Sequence, residues 1–161
     1  MTGASPPLDR PALYPSTVEP RLGSGYPAPF AEAVAGRAKR ALGNALGLSN
    51  FGVNLVTLAP GAASSQRHWH SRQDEFVWVL QGEITLVTDT GEQVLRPGSA
   101  AGFPAGRPDG HHLVNRTDRE AVYLEVGDRT AGDAVTYPDI DLKAEALAGT
   151  LVYLHKDGTP Y

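Results

Sequence analysis

Two histidines and a glutamate stand close together in the stretch QRHWHSRQDEFVWVLQGE, residues 66–83. In an extended strand alternate side chains share a face, so His68 and His70 point the same way and form a chelating pair. The polar residues SRQD that follow predict a turn, after which Glu75 opens an apolar run. Imidazole and carboxylate groups beside Phe, Val and Trp are costly to enclose unless something binds them. The spacing therefore predicts a metal site to which Glu75 contributes from a neighbouring strand.

A further ligand is available downstream. His111 or His112 follows the loop FPAGRPDG and could join the first three residues. Three imidazoles and one carboxylate suit one divalent transition metal: Fe, Mn, Zn, Ni or Co. An open position on such an ion would polarise a carbonyl group, or activate dioxygen if the metal is iron.

The residues between 51 and 126 have the texture of an all-β domain. Short apolar runs are separated by turn sequences such as APG, DTG, RPG and FPAG. Six strands at this rhythm predict a sandwich or barrel. The predicted strands are FGVNLVTL, EFVWVL, EITLVT, EQVLR, HHLVN and AVYLEV.

The segments on either side of this region differ from it in amino-acid composition. Seven of the 13 prolines fall within residues 1–29, which disfavours regular helix and central strand and predicts an extended arm. Residues 30–48 are Ala-rich and allow a short helix, and DIDLKAEALAG near the C-terminus allows another. We therefore predict three parts: an arm (1–49) packing on the barrel or on a partner subunit, a barrel (50–127), and a C-terminal extension (128–161).

Two longer patterns point to a family. GAASSQRHWHSRQDEFVWVLQG (61–82) reads G-x6-H-x-H-x4-E-x6-G, and GSAAGFPAGRPDGHHLVN (98–115) reads G-x5-P-x-G-x4-H-x3-N. These resemble the two motifs of the cupin superfamily, with one extra residue before the first histidine and two after Gly106. The resemblance covers roughly residues 51–127.

The resemblance implies a double-stranded β-helix, the cupin jelly-roll barrel, with a metal inside it. Carried over residue by residue, the metal ligands are His68, His70, Glu75 and His111. His111 is preferred because its spacing to Asn115 matches the family pattern, and strand alternation then turns His112 to the opposite face. Arg67, Arg72 and Arg107 flank the motifs and are expected to be solvated.

The composition of the chain limits the classes of partner that it is expected to bind. The chain has 161 residues, no cysteine and a formal net charge of −4, so disulfides are impossible and no basic surface recommends nucleic acid. The N-terminus lacks the pattern of a signal peptide, and no apolar run approaches membrane-spanning length. We expect a cytoplasmic protein that binds a small molecule and neither nucleic acid nor membrane.

The strand EFVWVL also predicts an oligomer. If Glu75 and its alternate neighbours line the barrel, then Phe76, Trp78 and Leu80 form an apolar patch on the outer face. A patch of that size on a monomer is unusual, and cupins commonly dimerise through sheet faces with exchanged arms. The sequence thus favours a homodimer.

The fold leaves the reaction open, because the family includes isomerases, dioxygenases, decarboxylases, lyases and binding proteins. The open metal position favours a small metalloenzyme of isomerase, dioxygenase or lyase type, acting on a sugar phosphate or an oxo-acid. The alternative is a non-catalytic module that binds or senses a small ligand. Tyr123, Glu125 and Asn115 are candidates for a supporting base by location alone.

Overall fold

The protein is described by a computed structural model over residues 11–147 and 150–161. Expectations for the start of the proline-rich arm, residues 1–10, lie outside the described residues. Helical structure in the described part is brief: one α-helix, α1 (Leu42–Ala45), and two 3-10 turns, Pro15–Thr17 and Glu32–Val34. No helix in these ranges is both long and apolar enough to cross a membrane.

Strands make up most of the rest of the chain. They are β1 (Arg21–Leu22), β2 (Arg37–Arg40), β3 (Phe51–Leu58), β4 (Trp69–His70), β5 (Glu75–Gln81), β6 (Ile84–Thr88), β7 (Gly91–Leu95), β8 (Ala100–Phe103), β9 (His112–Val114), β10 (Ala121–Asp128), β11 (Ala134–Tyr137), β12 (Leu142–Leu147) and β13 (Thr150–Leu154). All six runs predicted as strands are strands, and the all-β prediction is confirmed.

The strands form two layers of antiparallel sheet. One layer is a six-stranded sheet in the order β1-β2-β3-β10-β5-β8. The other consists of a four-stranded sheet, β13-β12-β11-β4, and a three-stranded sheet, β7-β6-β9. An isolated bridge between His68 and His111 joins the edge strands β4 and β9, so these two sheets continue into one another. The result is the jelly-roll barrel that the sequence predicted.

Alternation along β5 shows why this sequence makes this barrel. Val77 and Val79 are buried, whereas Phe76, Trp78 and Leu80 are 40%, 47% and 46% exposed. Burial of alternate apolar side chains favours a strand over a helix in this segment. The inward-facing residues pack into a core to which both layers contribute. That core contains Val56, Leu58, Ala62, Val77, Val79, Ile84, Leu86, Leu95, Leu113, Ala121 and Tyr123.

Both flanking segments take part in the sheets. From the N-terminal side, β2 pairs with β3 along the register Arg37↔Leu58 to Arg40↔Leu55. From the C-terminal side, β11 pairs with the ligand strand β4 through Val135↔His70. The flanks therefore extend both layers of the barrel by hydrogen bonding.

The short helix that DIDLKAEALAG allowed does not form in its described part, residues 139–147. Leu142–Leu147 form β12, which pairs with β11 on one side and β13 on the other. Leu142 and Ala144 are fully buried at alternate positions, so a period of two decided the structure where alanine content suggested a helix. The helix predicted within residues 30–48 is reduced to α1, preceded by the strand β2.

The sharp turn between β5 and β6 gives a test of the fold. Gly82 and Gly61 have almost the same φ, +76° and +79°, in a region that side chains resist. A Cβ at Gly82 would lie 2.7 Å from the Glu120 carbonyl oxygen and 2.9 Å from Ala121 Cα. A Cβ at Gly61 would meet no atom of the described residues within 4 Å.

We expect Gly61→Ala to cost about 1–2 kcal/mol of unfolding free energy, which is the backbone strain alone. Gly82→Ala should cost at least ~1 kcal/mol more, because backbone atoms of β10 must move. Urea unfolding of both variants measures the difference. Equal losses would mean that β10 does not approach the turn this closely.

The homodimer stays a prediction, and the outer face of β5 supplies its test. We expect the protein to sediment as a dimer and Trp78→Lys to sediment as a monomer, because a lysine there places a charge in the buried contact. Val94→Lys is the control, since Val94 is 48% exposed on the other layer. A monomeric parent protein, or a dimer unaffected by Trp78→Lys, would refute this interface.

Candidate metal centre

The bridge between β4 and β9 brings two of the predicted ligands together. The His68 amide donates to the His111 carbonyl oxygen at 3.1 Å, and the His111 amide donates to the His68 carbonyl oxygen at 2.8 Å. His70 follows two residues later on β4, so its ring lies beside that of His68, with the ring centres 5.1 Å apart. Backbone pairing thus sets the positions of all three imidazoles.

Glu75, the first residue of β5, completes the group from the opposite layer. Its Oε2 lies 2.8 Å from His111 Nε2, 3.4 Å from His68 Nε2 and 3.5 Å from His70 Nε2. The ligand atoms of His68, His70 and Glu75 all lie within 4.8 Å of one another, as a metal-binding group requires. The structure therefore brings together all four residues that the sequence singled out.

Hydrogen bonds to Nδ1 select the tautomer of two rings. His68 Nδ1 donates to the Gln66 carbonyl oxygen at 2.9 Å. His70 Nδ1 donates to Asp133 Oδ2 at 2.6 Å, and Asp133 is buried. A proton on Nδ1 leaves the lone pair on Nε2, the atom that faces Glu75. Supporting bonds of this kind orient the histidines of metal sites.

His111 is held by packing instead. Its ring stacks on Phe103 of β8 with the ring centres 3.6 Å apart and the planes 1° from parallel. Its Nδ1 is buried without a hydrogen-bond partner among the described residues. Burial lowers the pKa of His111, although its bond to Glu75 opposes this, so the neutral ring is favoured.

The charges of the group also suit a metal. Burial alone would raise the pKa of Glu75, but hydrogen bonds from His111 and His68 hold it well below its usual range. The carboxylate is therefore ionised at neutral pH, as a metal ligand must be. Burial would lower the pKa of His68, but the Glu75 carboxylate raises it, so a metal ion would have to displace a proton from His68 Nε2 as it binds.

The donor set fits a divalent transition ion. Metal bonds of about 2.1 Å at right angles place adjacent ligand atoms about 3.0 Å apart. The three distances from Glu75 Oε2 to the imidazole nitrogens bracket that value. Nitrogen donors with one carboxylate oxygen match ions of borderline softness. Of these residues, His68, His70 and Glu75 have ligand atoms close enough to one another to hold an ion.

The other residues considered from the sequence have varied roles. Asn115 is fully buried and structural: its amide donates to the Leu58 and Arg119 carbonyl oxygens, and its own oxygen accepts from Thr117. His112 does not turn away from the ligands as strand alternation predicted: it lines the same cavity, and its Nδ1 donates to the Ser65 carbonyl oxygen at 3.0 Å.

Arg67 is not the solvated side chain that strand alternation suggested. It forms a two-pronged ion pair with Asp139, with both N–O distances at 2.7 Å, and a further contact with Asp89. It also donates to the Gly110 carbonyl oxygen at 3.1 Å. Arg67 thereby ties the ligand strand β4 to the C-terminal extension and to the residue before His111. Arg72 and Arg107 are exposed, as expected.

A cavity of about 260 Å³ opens beside the four predicted ligands. Tyr123 and Glu125 of β10, both considered from the sequence, line it. Its remaining wall is built largely by residues that the sequence did not reveal, from the N-terminal segment and the extension. These are Arg21, Ser24, Gly25, Tyr26, Arg37, Lys39, Val135, Tyr137, Leu151 and Tyr153.

Burial keeps the cavity's phenols protonated. It raises the pKa of Tyr26 to about 12, and it raises the pKa of Tyr123 and Tyr137 as well. The Tyr123 hydroxyl is fully enclosed and has no hydrogen-bond partner in the described part of the chain. Neutral phenols can donate hydrogen bonds to a ligand that enters.

Fold and site together define a jelly-roll barrel with a His-rich metal-type group inside. The sequence matches the family model for a cupin domain over residues 54–127. A sugar phosphate isomerase of the cupin superfamily from Silicibacter pomeroyi is 48% identical, over 94% of this chain and 96% of that one, with a TM-score of 0.90. The chain belongs to the cupin superfamily.

Two further solved structures are similar. A protein proposed to be a sugar phosphate isomerase, from Acidithiobacillus ferrooxidans, is 29% identical over 78% of this chain and 80% of that one, with a TM-score of 0.70. The polyketide cyclase RemF from Streptomyces resistomycificus is 20% identical over 73% and 78%, with a TM-score of 0.57, and shares the fold alone. Comparison with curated proteins gave no match.

The bond from His70 to Asp133 yields a prediction. In Asp133→Asn the oxygen can still accept from the Arg72 amide, a bond of 2.8 Å, but an NH₂ group replaces the oxygen that faces His70. An amide donor there favours the tautomer with its proton on Nε2, which cannot bind a metal. We expect the metal affinity to fall roughly 10- to 100-fold.

Calorimetric titration of the metal-free protein with Zn(II) or Mn(II) measures this. Asp141→Asn is the matched control: Asp141 accepts from His155 Nδ1 at 2.7 Å in an exposed position away from the cavity. Equal affinities for Asp133→Asn and the parent protein would show that Asp133 does not orient His70.

Proposed function

We propose that the protein is a metal-dependent sugar phosphate isomerase that interconverts aldose and ketose forms of a small phosphorylated sugar. The observation that carries this is the 48% identity to the Silicibacter pomeroyi enzyme across 94% of the chain. That span extends well beyond the cupin-domain match at 54–127. It therefore takes in most of the flanking segments that build the cavity wall.

The four predicted ligands are suited to hold the metal ion that this reaction would use. His68, His70, Glu75 and His111 would hold one divalent ion. When bound, the ion would supply Lewis-acid polarisation of the sugar's carbonyl group, which would acidify the hydrogen on the neighbouring, hydroxyl-bearing carbon. Three nitrogens and one oxygen leave room on a six-coordinate ion for substrate oxygens.

The reaction also needs a group that moves a proton. A base takes the hydrogen from the carbon beside the carbonyl and returns it to the former carbonyl carbon, while a hydroxyl proton passes to the new alcohol oxygen. Atoms balance without an oxidant or reductant. Glu125 is suited to this task, because within the described residues the cavity is lined by two carboxylates and the other is Glu75.

The contacts of Glu125 keep it oriented. Asn54 Nδ2 donates to its Oε1 at 2.9 Å, and Arg37 and Lys39 each lie 3.9 Å from one of its oxygens. The side chain is 19% exposed, so it is held inside the barrel and yet remains open to the cavity. A fixed carboxylate within reach of a bound sugar is the arrangement that general base catalysis requires.

The aromatic wall favours chemistry shielded from water. Tyr26 packs edge-on against Tyr137, with ring centres 5.7 Å apart, and lies 5.4 Å from Tyr153. These rings come from the N-terminal segment and the extension, and all three line the cavity. Exclusion of water protects a carbanion-like transition state from side reactions.

The test compares two carboxylates with different roles. The protein loaded separately with Mn(II), Zn(II) and Fe(II) is assayed by NMR against aldose and ketose phosphates of three to six carbons. Glu75→Gln should lose both metal and activity. Glu125→Gln should keep the metal content while kcat falls roughly 10²- to 10⁴-fold, the usual contribution of a general base.

Other outcomes would decide against the proposal. Saturable binding of sugar phosphates without turnover under any metal would favour the non-catalytic binding module. Oxygen consumption with an Fe(II)-loaded protein would favour a dioxygenase. Full activity in Glu125→Gln, with turnover otherwise as proposed, would remove Glu125 from the mechanism but leave the isomerase assignment.

A further inference from the structure

A row of basic side chains lines the inner face of the six-stranded sheet. Arg21 of β1 pairs with Lys39 of β2, and Lys39 pairs with Val56 of β3, which is fully buried in the barrel core. Residues paired across antiparallel strands point to the same side of the sheet. Arg37 pairs with Leu58, also fully buried, and so points inward as well. Strand register alone thus turns three cations toward the interior.

These cations are short of partners. Arg37 is 9% exposed, its Nε has no hydrogen-bond partner among the described residues, and its Nη1 reaches the Gly23 carbonyl oxygen only at 3.3 Å. The nearest approaches of Arg37 and Lys39 to Glu125 are 3.9 Å, longer than hydrogen bonds. A buried guanidinium with unmet donors is costly unless a ligand satisfies them.

The local charge does not balance. Arg21, Arg37 and Lys39 share the cavity with two carboxylates, Glu75 and Glu125. With Glu75 counted as a metal ligand, Glu125 alone offsets the three cations, which leaves an excess of two positive charges on this wall. Burial lowers the pKa of Lys39, and the neighbouring Arg37 and Arg21 lower it further against the pull of Glu125. A phosphate monoester carries close to two negative charges at neutral pH and offers three acceptor oxygens.

The backbone keeps space open beside this row. A Cβ at Gly25 would lie 3.1 Å from Arg21 Nη2 and 4.0 Å from Tyr153 Cε2. Gly25, Arg21 and Tyr153 all line the 260 Å³ cavity that also holds the four predicted metal ligands. Arg21 is exposed and stands at the mouth, whereas Arg37 is enclosed.

We propose that Arg21, Arg37 and Lys39 form a binding site for the phosphate group of the substrate, in the same cavity as the metal centre. That the phosphate belongs to a sugar rests on the proposed function. Phosphate oxygens would accept hydrogen bonds from the unpaired donors of Arg37, and also from Lys39 and Arg21. Glu125 lies 3.9 Å from both Arg37 and Lys39, so its carboxylate would repel a bound phosphate and limit the affinity.

The volume sets the size of the ligand. Small-molecule sites commonly enclose roughly 300–1,000 Å³, and this cavity lies just below that range. It suits a monophosphate of a short sugar. The phosphate-binding row and the metal centre would grip opposite ends of such a molecule, which fixes its reacting carbons between them.

Binding of inorganic phosphate to the metal-loaded protein tests this without any need for turnover. We expect Lys39→Met and Arg21→Met each to weaken phosphate binding roughly 10- to 100-fold, as loss of a charge-assisted hydrogen bond does. Metal content should stay unchanged. Arg119→Met is the matched control, because Arg119 is exposed and lies outside the cavity.

A metal-ligand variant separates the two possible phosphate sites. His70→Ala should lose metal and still bind phosphate if the basic row is the site. Binding that disappears in His70→Ala but survives in Lys39→Met and Arg21→Met would place phosphate on the metal and overturn the proposal. Absence of phosphate binding to the parent protein would overturn it too.

The same variants distinguish failure of this site from failure of the isomerase assignment. If no sugar phosphate turns over and phosphate binding still depends on Lys39 and Arg21, the proposed function falls and the anion site stands. If sugar phosphates turn over with an unchanged KM in Lys39→Met and Arg21→Met, the isomerase stands and the anion site falls.

Discussion

One pair of backbone hydrogen bonds, between His68 and His111, underlies both the barrel and its candidate metal centre. The pair joins the edge strands of two small sheets into a single layer. It also sets two imidazoles side by side, with ring centres 4.8 Å apart. Glu75 then meets them from the opposite layer. A site of this kind requires both layers to be correctly registered, because a slip of one residue would turn a ligand out of the barrel.

The barrel could be predicted because its strands have a local alternation of apolar and polar residues. In EFVWVL the alternation of buried and exposed side chains matches the period of a strand, and Glu75 falls on the inward face as a consequence. The H-x-H spacing likewise puts both rings on one side. These are local patterns, and the sequence displays them directly. The resemblance to the cupin motifs added His111, which lies far along the chain from its partners.

The cavity wall could not be predicted in the same way. The segment GRAKR was assigned to a possible helix because alanine-rich sequence favours helix locally, yet residues 37–40 pair with β3 as a strand. Once the segment is a strand, Arg37 and Lys39 share its inward face. Asp133 had no local indication at all: it reaches His70 only because β11 pairs with β4. Long-range pairing, not local preference, decides such contacts.

The family's barrel and the segments around it thus contribute different parts of the cavity. Residues within 54–127 supply the four predicted metal ligands, whereas Arg37, Tyr26 and Tyr137 come from outside that span. A barrel with a metal group is common to proteins of many activities, so it says little about the substrate. The flanking segments, which add strands to both layers, shape and charge the space above the metal group. They are where specificity within this fold can arise.

Charge connects the two halves of the cavity. A divalent ion with one carboxylate ligand would leave a net charge of about +1, and the basic residues Arg21, Arg37 and Lys39 leave a further excess once Glu125 is counted. Enclosed charge of one sign is unfavourable in a medium of low polarity, so both halves gain when an anion enters. Neutral sugars cannot offset the basic row, and a small dianion with an oxygen-rich end can satisfy both. On the proposed function, this excess of positive charge would favour a phosphorylated substrate over its parent sugar.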